Sequence, residues 1–137
     1  MQNTRALGAH FAATSAAAVV LFVGLDVLTF GPAGVLSGLG KSIGGFVVIL
    51  VVCAFSVPLG LALRYLVGRL PLSPRPAAVA AGIAVGLALI PILHPGMVGG
   101  VSFSSNPLAL IVIHGLAGCV GGVIWHAVEF RNALRVS

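Results

Sequence analysis

The sequence predicts an all-α integral membrane protein, with four transmembrane helices in an up-down bundle and both termini in the cytoplasm. Three observations predict it. Hydrophobic residues make up 59% of the chain and charged residues only 7%, where a soluble domain carries about 25% charged; a water-exposed surface cannot be built from so few charges. Apolar runs near the roughly 20 residues that a bilayer core demands recur along the chain, and the mean hydropathy is +1.20. The arginines sit at the ends of those runs, where they orient a membrane protein.

The spans are expected at about residues 6–30, 43–67, 77–93 and 107–130, within a single membrane domain covering residues 1–137. The first begins after a short positive start ending at Arg5. It is longer than the about 7 to 15 apolar residues of a secretory signal, so it reads as a retained span. Its first half is small, at Ala9, Ala12, Ala13, Ala16 and Ala17, which lets another helix approach closely. Residues 31–42 hold Pro32, four glycines and the lone Lys41. They read as an external connection whose Val35, Leu36 and Leu39 lie against the membrane interface.

The second span contains Pro58, which removes a backbone donor and is expected to kink the helix, with Ser56 placed to satisfy a freed carbonyl nearby. A basic, proline-rich hairpin follows at 68–76, and the stretch from Arg64 to Pro76 carries Arg64, Arg69 and Arg75. The third span is small in side chain and includes Gly82-x-x-x-Gly86. After a second external connection over residues 94–106, Asn106 reads as an N-cap and Pro107 as the first residue of the fourth helix. That helix carries Gly115, Gly118, Gly121 and Gly122, with Trp125 as an interface anchor near its end.

Charge decides the orientation. Arg5, Arg64, Arg69, Arg75, Arg131 and Arg135 fall on one side and only Lys41 on the other, which puts the arginine side in the cytoplasm. Arginine outnumbers lysine amid much alanine, glycine and valine, the composition of a GC-rich bacterial genome. A multi-pass protein of a bacterial inner membrane is therefore expected.

Several function classes find no support in these residues. The net charge of +5 would suit nucleic acid only as a basic stripe interleaved with aromatics, and here the charges mark helix ends. Cys53 and Cys119 stand singly inside apolar segments, which argues against a disulfide framework or a zinc site. No nucleophile elbow, His-Glu-x-x-His helix or phosphate-cradling loop is present, so no catalytic residue is assigned and no cofactor is expected.

The candidate residues are few. Asp26 is the acid placed within a span, and an ionisable group in hydrocarbon is a candidate functional site by default. Counted at about 1.5 Å per residue, it lies roughly 6 Å below the outer edge, and His114 roughly 10 Å below the outer end of the fourth helix. If the first and fourth helices are neighbours, the two could share a proton in an ion or proton pathway. His10 and His126 share a depth near the cytoplasmic side, where two facing imidazoles could hold a haem iron. Gly82 with Gly86, and Gly118 with Gly122, strip bulk from two helix faces and mark close packing, within the chain or against a second one.

Three readings follow. The first is a scaffold or accessory subunit acting through glycine-faced helix packing. Its partners would be the lipid bilayer and either further copies of the chain or a larger membrane complex. The second is a homo-oligomeric transporter or channel for a small solute or ion, with Asp26 and His114 in the pathway. The third is a haem-binding redox protein.

Overall fold

The computed structural model describes residues 2–69, 71, 73–93 and 107–130. It is all-helical, with no strand among the described residues. The elements are α1 (Gln2–Phe30), a short 3-10 turn (Gly31–Ala33), α2 (Gly34–Gly44), α3 (Phe46–Val67), α4 (Pro74–Ala88), α5 (Ile90–Leu93) and α6 (Pro107–Phe130). Two stretches are long and apolar enough to cross a membrane, Thr4–Gly44 and Pro107–Glu129, and Pro74–Ala88 is a shorter apolar helix. The second external connection, with Asn106 as its expected cap, lies outside the described residues, as do Arg131 and Arg135.

The ends of α1 follow from its sequence. Alanine dominates its first half and favours helix at little side-chain cost. It stops at Gly31, which takes φ +64°, the left-handed conformation that glycine adopts freely and that ends many helices. Pro32 then removes the next donor and starts the 3-10 turn.

The connection expected at residues 31–42 is helical rather than a loop. After three residues of 3-10 turn the chain re-enters a helix, α2, which folds back along the second half of α1. Glycine accounts for the difference. A Cβ added at Gly34 would overlap the Asp26 backbone, and one at Gly38 would overlap Val23. Gly34-x-x-x-Gly38 is thus a small-residue face on which two backbones meet.

Hydrogen bonding barely breaks between α2 and α3. Gly45 N–H donates to the Lys41 carbonyl at 2.7 Å and Ile49 N–H to the Gly45 carbonyl at 2.9 Å. The second arm of this hairpin is therefore almost one helix, and α3 continues through Pro58. Ser42 and Thr29 return their hydroxyls to the carbonyls of Gly38 and Leu25, at 2.8 Å and 2.9 Å, so neither of these two is stranded on an apolar face.

At the start of α4, Ser73 is extended and Pro74 occupies the first turn, where a missing N–H costs nothing. A Cβ on Gly82 would overlap the Gly118 carbonyl, one on Gly86 the His114 carbonyl, and one on Gly122 the Ala78 carbonyl. Residue numbers rise on α4 as they fall on α6, so the two helices run antiparallel with their backbones in contact.

α6 packs its other side on α1. Gly121 faces Ala13 and Ala17, and Gly24 faces Ile113, again antiparallel. The centre of the molecule is thus α1 against α6, with α2 and α3 flanking α1, and α4 and α5 flanking α6. By these registers Arg5, Arg69 and Arg75, all exposed, fall at one end of the molecule.

The core is narrow and built of small residues. Ala6, Ala9, Ala77, Ala78 and Ala117 are buried, along with Ile49, Cys53 and Leu110. Large apolar side chains point outward instead, among them Leu36, Ile43, Val47 and Val48 at 64% to 79% exposure. A helix apolar on its outer face suits hydrocarbon, since lipid solvates what water does not.

Candidate functional site

Three polar stations stand out among the described residues inside the helices, and two of them tie one segment to another through side-chain hydrogen bonds. The first is at the turn between α1 and α2. Asp26 is 6% exposed, and its Oδ1 accepts a hydrogen bond from Lys41 Nζ at 2.7 Å. The lysine side chain is 53% exposed and passes over the Phe30 ring, 5.8 Å from its centroid. Ser37 lies beside the same carboxylate, and Oδ2 is buried without a partner.

Sequence reading missed this pair. The spacing gave little signal, since Asp26 lies five residues before the turn at 31–33 and Lys41 eight residues after it, and the long lysine side chain spans the offset. Treating 31–42 as a loop concealed it.

The second station is His114, 1% exposed. Its Nδ1–H donates to the Leu110 carbonyl at 2.9 Å, and its own carbonyl is the surface over which Gly86 packs. The contact of Gly24 with Ile113 puts Asp26 and His114 at similar heights on neighbouring helices. Asp26 bonds to Lys41 on α2, and His114 bonds to the Leu110 carbonyl of its own helix.

The third station is His10. Its Nε2 lies 3.1 Å from the Cys53 carbonyl and 2.9 Å from Ser56 Oγ on α3, and Ser56 donates to the same carbonyl at 3.0 Å. With two acceptors before it, Nε2 carries the proton. Cys53 precedes by one residue the carbonyl of Ala54 that Pro58 leaves without its helical donor, so the imidazole of α1 ties to α3 next to the proline-weakened turn. Nδ1 faces Gly60, where an added Cβ would sit 2.5 Å away.

Ala6, Leu7, Val57, Leu61 and Trp125 complete a cavity of about 10 Å³ around His10, enough for one water molecule. His126 follows Trp125 on α6 and is half-buried. An axial haem ligand must present a ring nitrogen to iron, and both nitrogens of His10 are turned to α3. We therefore do not propose haem. Among the described residues no group of three or more His, Cys, Asp or Glu side chains could hold a metal ion.

Gly60→Ala is expected to push His10 off Ser56 and to loosen α1 from α3. The cost is about 1–3 kcal/mol, the range for overpacking a tight contact, and it reads out as a lower melting temperature in detergent. His10→Phe, which keeps bulk and loses the donor, is expected to act in the same direction. Gly8→Ala, in open space on α1, is expected to leave the melting temperature unchanged.

The sequence-predicted glycines meet one another: Gly82 and Gly86 lie against Gly118, Gly122 and the His114 backbone, all in one chain. Arg69 stacks on Tyr65, its guanidinium carbon 4.4 Å from the ring centroid. No protein-family model matches this chain, and neither curated proteins nor solved structures give a significant match.

Proposed function

We propose that this chain is a multi-pass protein of a bacterial inner membrane, with four spans in an up-down bundle and cytoplasmic termini, acting as a scaffold or accessory subunit. The observation that carries the reading is where the polar and glycine groups go. Asp26 is held by Lys41, His10 by α3 and His114 by the Leu110 carbonyl, while the glycine faces close on each other. These groups serve the frame rather than a substrate.

Depth supports the same conclusion. If Tyr65 stands at the cytoplasmic headgroups, roughly 20 residues of α3 bring the chain to the outer boundary near residue 45. The Asp26–Lys41 pair then stands at the outer headgroup level, where a charge costs least. Because the glycine faces are used within the chain, partner contacts fall to the apolar flank of α2 and α3, at Leu36, Ile43, Val47 and Val48.

The test is site-specific photo-crosslinking in cells. A benzoyl-phenylalanine at position 43 or 47 is expected to yield one discrete protein adduct. Lipid adducts alone at both positions, together with solute flux through proteoliposomes that Asp26→Asn abolishes, would overturn the scaffold reading in favour of a homo-oligomeric transporter.

A further inference from the structure

The arginine end of α3 carries an arrangement that the frame does not use. Leu61 and Tyr65 stand one turn apart on α3, and Arg69 lies in the turn just beyond the end of that helix at Val67. With Gly68 they line an open cleft of about 430 Å³. Leu61 is 49% and Tyr65 59% exposed, and Arg69 is exposed too. Gly68 adds no side chain beside the stacked pair.

Each wall has its own chemistry. Leu61 is apolar and lies deepest in the span, Tyr65 is half apolar with a hydroxyl, and Arg69 carries a permanent charge. Arg69 lies over the Tyr65 ring, a contact that uses the face of the guanidinium and leaves its N–H edge to donate. The negative end of the α3 dipole accounts for a cation at this position, but it does not occupy that edge. Arg75, exposed in the first turn of α4, adds positive charge to the same connection.

We propose that Leu61, Tyr65 and Arg69 bind an anionic phospholipid of the cytoplasmic leaflet, with its phosphate on Arg69 and Tyr65 and its acyl chain along Leu61. The order of groups along the chain, apolar then hydroxyl then cation, is the order of groups in such a lipid read from tail to head. A protein partner would not need that order. The inference rests on the membrane reading above, because outside a bilayer Leu61 has no acyl chain to meet.

Native mass spectrometry of the full chain, purified in detergent with added phosphatidylglycerol or phosphatidylcholine, tests it. Phosphatidylglycerol is expected to be retained in preference to phosphatidylcholine. Arg69→Gln is expected to lower that retention roughly fivefold, the factor that one basic residue commands near an anionic surface. Tyr65→Phe should lower it less, and it serves as the second variant if Arg69→Gln does not fold. Excess inorganic phosphate should not displace the lipid, since it lacks the acyl contact.

Undiminished phosphatidylglycerol retention in both variants would overturn the proposal, and displacement by inorganic phosphate would overturn the choice of a lipid. Alkaline carbonate washing of cell membranes separates this failure from that of its premise. Release of the chain by the wash refutes the membrane reading itself, whereas a chain that stays in the membrane but binds lipid normally after Arg69→Gln refutes the cleft alone.

Discussion

Gly118→Leu is expected to separate α4 from α6 and to leave little monodisperse protein after purification in detergent. At this position even a Cβ would overlap the Gly82 carbonyl and press on the Ile83 backbone. Neither neighbour is a side chain that could change rotamer, so a whole helix must move. Extra atoms in a packed core cost about 1–3 kcal/mol when side chains can adjust, and a rigid backbone contact is expected at or above the top of that range. The contact is also the main glue available, because lipid is as apolar as leucine and leaves only close packing to favour association.

The control is one turn away. Gly115 has open space where its Cβ would stand, so Gly115→Leu is expected to leave the melting temperature and the elution profile unchanged. Gly118→Ala should fall between the two. Wild-type melting by Gly118→Leu would show that the α4–α6 contact does not hold the fold. A change in oligomeric state with unchanged melting would instead assign that glycine to a contact between chains.

What the sequence could show depended on whether the signal was local. The Gly-Pro pair at 31–32 and Pro74 are local stereochemistry, and they mark where α1 stops and α4 starts in the structure. The spacing of Gly82 with Gly86, and of Gly118 with Gly122, named two faces but could not pair them, because spacing along one helix says nothing about which helix lies opposite. The same limit hid His10. Its partners Cys53 and Ser56 lie more than forty residues away, and no periodicity joins them. The helix at 34–44 was hidden for another reason: glycine and proline density reads as a turn in water, yet between apolar helices glycine is also what lets a helix lie flush on its neighbour. Lys41 was accordingly read as an outer charge alone, and its pairing with Asp26, one hairpin fold away, went unseen.

Substitutions at that pair are expected to be unequal, and the inequality separates the frame reading from the pathway reading. In Lys41→Met the carboxylate of Asp26 keeps its shielded position, with Ser37 beside it and Oδ2 already unpartnered, and loses its counter-ion; a shielded charge left without its partner costs more than a neutral amide in the same place. In Asp26→Asn the lysine, half exposed, can turn to water and the amide remaining is neutral. Lys41→Met is therefore expected to lower the detergent melting temperature more than Asp26→Asn, and adding Asp26→Asn to Lys41→Met should recover much of the loss. If Asp26 instead carried protons for a transported solute, Asp26→Asn would abolish uptake into proteoliposomes without loss of stability, and the double variant would be equally inactive. The two readings thus predict opposite ranks for the same variants. Rescue in the double variant belongs to an ion pair that fastens a hairpin, because removing a stranded charge can restore packing but cannot restore a proton carrier.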